Sequence, residues 1–177
     1  IIFFIYFIFS KLKLVNNNLL IFFLIFLVLI LFILTPKTHD DFQYYHFPYI
    51  HLLTIEPSSI GLGNFNHGFR TPSSIFYLNS LFYLPLIKYF SYQIGSALIM
   101  GFSVIYFFQL IKNSILKNSN DTIFYFALLS LSFVSIFFYR FSEHGTDRSA
   151  QILVFILILE FLQLYKNTEY FDKFITK

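Results

Sequence analysis

Residues 19–34 read LLIFFLIFLVLILFIL, without a polar or charged side chain. The asparagines Asn16, Asn17 and Asn18 precede this run, and Thr35-Pro36 follow it. An α-helix rises about 1.5 Å per residue, and the hydrocarbon layer of a membrane is about 30 Å thick. The length of the run and its polar boundaries therefore predict one transmembrane helix over residues 19–35.

The whole chain has a membrane-like composition. Of its 177 residues, 57% are hydrophobic and 12% are charged, against about 25% charged residues in soluble domains. The mean hydropathy is +0.69, too high for a disordered chain or for a soluble globule of this size. The net charge of +3 is small and spread out, which predicts no nucleic-acid partner. Because the sequence contains no cysteine, disulfides and thiolate metal sites are excluded.

Other apolar segments extend the same pattern. We predict further spans over residues 92–111, 122–139 and 149–165, each bounded by polar residues. Residues 1–9 are apolar but too few to cross a membrane, so we expect them to be part of a helix that begins before this sequence. The predicted fold class is all-α: residues 1–177 form a single, incomplete domain of a longer protein. Its architecture is a polytopic transmembrane helical bundle with a long outer loop that carries interfacial helices.

The side of the membrane that the loop over residues 36–91 faces depends on residues 72–90. We predict an interfacial or re-entrant helix there, although the segment is just long enough to cross the membrane. If residues 72–90 do not cross, seven basic residues lie on the cytoplasmic side and five on the other; if they do cross, the numbers are reversed. Because basic residues concentrate in cytoplasmic loops, the first arrangement is favoured. Residues 36–91 and 140–148 then share the outer face of a multi-pass protein.

The acidic pair Asp40-Asp41 directly follows the first complete span. A carboxylate at a membrane surface can act as a general base or bind a divalent cation. The alternative is that the pair caps a helix, with Tyr44, Tyr45 and Tyr49 forming an interfacial aromatic belt. The sequence leaves both interpretations open.

The predicted outer face carries further candidates. The loop between the last two spans contains Glu143, His144, Asp147 and Arg148, although a short loop needs only polar residues to turn and Arg148 could simply anchor its helix. Arg70 follows the turn Gly61-Leu62-Gly63-Asn64 and is suited to bind a phosphate. The full glycine pattern of a phosphate-binding loop is absent, however, so a plain turn explains the glycines better. His46 and three other histidines of the long loop lack the spacing of a helical metal site.

These motifs resemble the GT-C class of integral-membrane glycosyltransferases. The chain is more similar still to uncharacterised bacterial multispan proteins with an Asp-Asp-Phe-x-Tyr-Tyr-His-x-Pro-Tyr motif, here residues 40–49, followed by Gly-Leu-Gly-Asn, here residues 61–64. The resemblance covers residues 19–165. The chain departs from this class in one large respect, since such transferases carry about twice as many spans and many have a soluble domain. We therefore expect this piece alone to be inactive.

The resemblance implies a function in the bacterial inner (plasma) membrane. A polyprenyl-phosphate-linked sugar would be the donor, and Asp40, with Asp41 beside it, would be the general base on an acceptor hydroxyl. A basic residue or a divalent cation would stabilise the departing phosphate, and we assign this role to Arg70 or Arg148. His46, Glu143, His144 and Asp147 would be neighbours of this site. The metal requirement and the oligomeric state are not predicted.

Two other functions remain open from the sequence: a transporter or lipid flippase fragment, and a non-catalytic membrane scaffold. A transporter places polar groups near the middle of the membrane, whereas here Glu160 is the one charged residue inside a predicted span. A scaffold would tolerate the loss of the acidic pair. The polar residues concentrate in the predicted outer loops, which favours the transferase.

Overall fold

The computed structural model describes residues 17–56, 60–117, 121–144 and 146–166. Within these ranges it contains α-helices, one π-helical turn and short 3₁₀ turns, and no β-strand. The predicted all-α class is confirmed. The seven α-helices are α1 (Asn17–Leu34), α2 (Phe47–Ile55), α3 (Ser74–Leu81), α4 (Ile94–Leu116), α5 (Thr122–Ile136), α6 (Phe138–Ser142) and α7 (Thr146–Lys166). The predicted partial span over residues 1–9 lies outside the described residues.

The four long helices pack side by side. Helix α4 is central because it contacts α1, α5 and α7, and α5 also contacts α7. Phe107 of α4 is fully buried in the core, together with Phe32 of α1, Ala127 of α5 and Ile152 of α7. Gly101 allows α1 to approach α4 closely, since a Cβ atom there would lie 2.9 Å from Cγ1 of Ile25.

Two helical segments are long and apolar enough to cross a membrane by length and composition. They are Lys88–Leu116, in which a 3₁₀ turn continues into α4, and α7. The apolar helices Ile21–Leu34 and Thr122–Ile136 are shorter. The outward faces of the four helices carry exposed apolar side chains, such as Phe23, Phe102, Leu129 and Leu157.

The two ends of this helical assembly are defined by separate polar contacts. At one end, called here the Glu143 end, the C-terminus of α1 meets the connection between α6 and α7 through Glu143. At the opposite end, Lys166 of α7 pairs with Asp121, whose side chain caps α5 by accepting the N–H of Phe124. Glu160 accepts a hydrogen bond from the Tyr106 hydroxyl at 2.6 Å, so it links α7 to α4.

Residues 72–90 do not form one helix. Helix α3 has eight residues, or about 12 Å of rise, and is too short to cross a membrane. Turns through Pro85 separate it from the 3₁₀ segment Lys88–Gln93, where Lys88 has a φ of 44°. Proline lacks the N–H that a continuous helix requires, which favours a break here. The helical segment that includes α4 thus begins before the predicted residue 92.

A buried amide joins α3 to the start of α4. Oδ1 of Asn79 accepts the backbone N–H of Ser96 at 3.0 Å, and Nδ2 of Asn79 donates to Oγ of Ser96 at 3.1 Å. Gly95 makes room for this contact, because a Cβ atom there would lie 2.4 Å from Oδ1 of Asn79. Helix α3 is therefore fixed beside α4 at the Glu143 end.

Candidate functional site

Glu143 joins the two predicted loops. Its side chain is 3% exposed, and Oε1 accepts the backbone N–H groups of Thr38 at 2.6 Å and His39 at 2.9 Å. Nδ1 of His46 contacts the carbonyl oxygen of Glu143 at 3.0 Å. Because a carbonyl oxygen can only accept, this contact requires that Nδ1 of His46 carries the proton. Glu143 therefore positions both the end of α1 and the π-helical turn Phe42–His46.

These contacts surround a cavity of about 230 Å³, called here the Glu143 cavity. Its wall includes residues from both sides of the connection. They are His39, Asp41, Tyr45, His46, Arg140, Glu143, Thr146, Asp147 and Arg148. Carboxylates, guanidinium groups and imidazoles thus face one space that is large enough for a small polar group.

The two aspartates of the acidic pair differ in position. Asp41 lines the Glu143 cavity, whereas Asp40 is exposed and is not among the lining residues. The Asp41 side chain makes no capping hydrogen bond to the helical turn that follows. Oδ2 of Asp41 lies 3.4 Å from Nδ1 of His39, the nitrogen that also accepts the Asp41 N–H. The geometry favours Asp41, where the sequence pointed first to Asp40, and it offers no capping role for the Asp41 carboxylate.

Two arginines also line the cavity, Arg140 and Arg148. The guanidinium of Arg148 lies 4.4 Å from the ring centroid of Phe137, and Nη1 donates to Gln151 at 2.8 Å. Nη1 of Arg140 lies 3.9 Å from Oε2 of the buried Glu143. A guanidinium has five N–H donors, so each arginine retains donors for an anion. Arg148 was predicted from the sequence; Arg140 was missed because it sits where a helix end often carries a basic anchor.

Two buried histidines lie at the same end of the assembly. His144 is fully buried, with a φ of 58° and its ring 5.3 Å from that of Phe42. Burial lowers the pKa of His144 to about 3, and the nearby His46 and Lys37 act in the same direction. Burial also lowers the pKa of His46, although the Glu143 carbonyl and the carboxylates of Asp41, Glu143 and Asp147 oppose the shift. Both imidazoles are therefore neutral at pH 7.

Lys37 is a residue that the sequence did not single out. Its ammonium group donates to the carbonyl oxygens of Phe32 and Thr35 at the C-terminus of α1, where the helix dipole favours a cation. Burial lowers the pKa of Lys37 to about 8, opposed by attraction to Glu143. Lys37 could have been noticed in the sequence because it lies about one turn after the end of a long apolar helix.

Arg70 does not reach the Glu143 cavity. Together with Gly61, Leu62, Gly63 and Asn64 it lines a separate surface cavity, and its Nε donates to the carbonyl oxygen of Gly63 at 3.2 Å. The N–H groups of Asn64 and Phe65 are used within the turn itself. The structure therefore supports the plain-turn interpretation of the glycines and separates Arg70 from Arg148.

A resident metal has no ready set of ligands in the part of the chain that the structure describes. There, no group of three or more His, Asp or Glu side chains is arranged to hold a metal ion. Asp41 and Asp147 line one cavity but are accompanied by two arginines. The arginines are thus the available cationic groups at the site.

The chain belongs to a family of unknown function, described as Domain of unknown function (DUF8201), whose model matches residues 1–176. No curated protein and no solved structure matches the chain. The family description names no activity, and the described part of the chain is helical.

Acidification is expected to destabilise the protein through His46 and His144. Their folded-state pKa values lie below the ordinary value of 6.5, so the unfolded chain binds more protons below about pH 6.5. Stability is fully present above that pH and falls as the pH drops towards the folded pKa values, by up to about 1.4 kcal/mol per histidine per pH unit.

Thermal unfolding of the purified protein between pH 7.5 and 4.5 measures this loss. The His46→Phe and His144→Phe variants are each expected to show a flatter pH profile than the wild type. An unchanged profile in both variants would contradict the assignment.

Proposed function

We propose that this chain is part of a multi-pass membrane glycosyltransferase of the bacterial inner membrane, with its site on the outer face. The proposal takes the Glu143 cavity as the place where a polyprenyl-phosphate-linked sugar meets an acceptor hydroxyl. The single observation that carries it is the convergence of Asp41, Arg140 and Arg148 on one cavity beside α7, a helix long and apolar enough to cross a membrane.

The position of the cavity suits a lipid-linked substrate. Exposed apolar side chains cover the long helices, as expected for surfaces that face acyl chains. A polyprenyl chain could remain among the lipids while its phosphate and sugar enter the polar cavity at the helix ends. Sugar transfer at this boundary requires a site that is polar inside and apolar along its flank.

The proposed reaction is a single displacement. The acceptor oxygen attacks the anomeric carbon while the Asp41 carboxylate takes its proton, and the bond from the anomeric carbon to the phosphate oxygen breaks. The electron pair of that bond leaves with the phosphate, whose charge is stabilised by Arg140 and Arg148. Attack opposite to the leaving group inverts the anomeric configuration.

The distribution of buried polar groups favours this function over transport. In the described residues, buried side-chain atoms without a hydrogen-bond partner include Nε2 of His46 and the amide atoms of Gln93, both at the end of the helices where Glu143 lies. Glu160, the charged residue inside α7, is bound to Tyr106. A transport pathway would instead need free polar groups along the middle of the helices.

The test of the activity is incorporation of radiolabel from a polyprenyl-phosphate sugar by membranes that contain the intact parent protein. Transfer above that of membranes without the protein supports the proposal. Absence of transfer with each of several donor sugars would count against it.

The predicted topology can be tested by thiol labelling, since the chain has no cysteine of its own. We expect single-cysteine variants Asn64→Cys and Asp147→Cys to react with a membrane-impermeant maleimide in intact spheroplasts. Lys117→Cys, near the opposite end of the helices, should react only after permeabilisation. The cysteine-free protein is the control. Labelling of positions 64 and 147 from opposite compartments would refute the shared outer face.

A further inference from the structure

A second polar cavity lies at the opposite end of the helices from Glu143. It has a volume of about 290 Å³ and is called here the Lys117 cavity. The C-terminal parts of α4 and α7 and the start of α5 contribute its wall. The lining residues are Leu110, Asn113, Ser114, Lys117, Asp121, Ile123, Gln163 and Lys166. This cavity takes no part in the proposed reaction, so its polar groups need a separate explanation.

The polar side chains Asn113, Ser114 and Lys117 line the cavity from one face of α4, because residues three and four apart are neighbours on a helix. Ser114 is 6% exposed, yet its hydroxyl has no hydrogen-bond partner among the described residues. By contrast, the hydroxyls of Ser103 and Ser130 donate to the carbonyl oxygen four residues earlier. The Ser114 hydroxyl is therefore available to a molecule in the cavity.

The lining of the cavity carries a positive charge without a counter-ion. Lys166 pairs with Asp121, whose carboxylate also accepts the N–H of Phe124 at 3.0 Å. The hydrogen bond from Lys166 holds the pKa of Asp121 below its ordinary value, so the pair is ionised and adds no net charge. Lys117 is exposed and has no acidic partner in the part of the chain that the structure describes. Its ammonium group is thus available to an anion.

The position of the cavity fits the headgroup layer of a membrane. The two helical segments that are long and apolar enough to cross a membrane are Lys88–Leu116 and Thr146–Lys166. Lys117 directly follows the first segment, and Lys166 is the last residue of the second. If these segments cross, both lysines lie where the apolar layer ends and the charged lipid headgroups begin.

An adjoining cavity of about 280 Å³ offers apolar side chains beside these polar groups. It shares Asp121, Ile123 and Lys166 with the Lys117 cavity, and its wall is completed by Thr122, Leu162 and Tyr165. A phospholipid combines the same two properties, because it joins an anionic phosphate to apolar acyl chains. A free phosphate would use the first cavity and leave the second without an occupant.

We propose that the Lys117 cavity binds the phosphate group of an anionic phospholipid, with an acyl chain of the lipid along the adjoining cavity. Lys117 pairs with the phosphate, and the Ser114 hydroxyl and the Asn113 amide donate to its oxygens. Basic pockets between membrane helices are suited to anionic headgroups. The site is independent of sugar transfer and requires only that α4 and α7 end at a membrane surface.

Native mass spectrometry of the intact, delipidated protein in detergent micelles tests the site. Titration with phosphatidylglycerol or phosphatidylcholine of identical acyl chains gives the affinity for the first bound lipid. We expect the wild type to bind phosphatidylglycerol about fivefold or more tightly, because one lysine beside an anionic lipid contributes about 1 kcal/mol. In Lys117→Ala the difference should fall to about twofold or less, whereas Lys117→Arg should retain it.

Two further variants separate this site from a general attraction between lysines and anionic lipids. Lys112 is an exposed lysine of the same helix that lines neither cavity, so Lys112→Ala is the matched control and should keep the preference. Ser114→Ala should weaken phosphatidylglycerol binding about threefold, the effect of one hydrogen bond. Its melting temperature should not fall, because the hydroxyl that it removes has no partner in the described protein.

Three outcomes overturn the site: the two lipids bind equally well, the preference survives in Lys117→Ala, or Lys112→Ala loses as much of the preference as Lys117→Ala does. Glycerol 3-phosphate is the probe for a soluble phosphate ester. At a concentration equal to that of the lipid it should not displace phosphatidylglycerol, and full displacement would refute a lipid as the occupant. None of these measurements involves sugar transfer, so a negative result leaves the proposed function intact.

Discussion

Replacement of Asp41 by Asn is expected to lower the rate of sugar transfer by about 10²–10⁴-fold, the usual contribution of a general base. The amide is nearly isosteric with the carboxylate but cannot accept the proton of the acceptor hydroxyl. Asp41 lines the Glu143 cavity and does not cap the helical turn after it, so the loss should appear in turnover with little change in stability. The radiolabel assay with the intact parent protein, run with the melting temperature of each variant, makes the measurement.

Asp40→Asn is the matched control, because it makes the same chemical change at the neighbouring, exposed position. We expect this variant to retain transfer within about tenfold of the wild type, less than the loss of a general base. An inactive Asp40→Asn with an active Asp41→Asn would return the base to Asp40, as the sequence alone suggested. Full activity in both variants would remove the acidic pair from the mechanism.

Replacement of Glu143 by Ala is expected to have the largest effect on stability, roughly 2–4 kcal/mol. The change leaves the backbone N–H groups of Thr38 and His39 without their acceptor. It also removes the carboxylate beside Arg140 and Lys37. Because Glu143 holds the end of α1 against the start of α7, the cavity should be lost along with stability.

Chemical or thermal unfolding of the reconstituted protein measures this effect. Glu143→Gln should lose less, since its amide oxygen can still accept one or both N–H groups. Glu56→Ala, at an exposed glutamate, is the control and should stay within about 0.5 kcal/mol of the wild type. A Glu143→Ala variant as stable as that control would show that the contact does not hold the two segments together.

The all-helical class and the long helices were predictable from composition and from the apolar runs. The segments predicted as spans 19–35, 122–139 and 149–165 are helical and overlap α1, α5 and α7, and of these three α7 is long and apolar enough to cross a membrane. A run of side chains such as that of residues 19–34 has one low-energy arrangement in an apolar medium, a helix with its backbone groups satisfied internally. The hydrophobicity and length of such a segment are therefore enough to predict that it is a helix, without knowledge of its neighbours in space.

The irregular segments could not be predicted to the same degree. The structure of residues 72–90 depends on the contact of Asn79 with Ser96 and on the left-handed backbone of Lys88, and neither has a periodic pattern. Gln93 is one of the few polar side chains in the uncharged segment 89–111 and was the available clue to a buried polar position. Its significance depends on which neighbours surround it, and that information is not local.

The sequence predicts which residue types and which loops contribute to the candidate site. It does not predict which of these residues lie next to each other. Sequence spacing indicated which acids and arginines share a loop, whereas the separation of Arg70 from Arg148 follows from the turn that holds Arg70 against Gly63. The choice between Asp40 and Asp41 likewise depends on the direction of one backbone turn. Tertiary contacts between residues distant in the chain determine which of these side chains line the cavity.

The contact between Thr38 and Glu143 joins residues 105 positions apart, and this has a consequence for biosynthesis. While the ribosome is still producing α4 and α5, the first half of the site is already in place but its carboxylate partner has not been translated. The Glu143 contacts can form only after α6 has been translated. Assembly of the cavity is thus a late event in synthesis, and a nascent chain that stalls before residue 143 lacks the carboxylate at its centre.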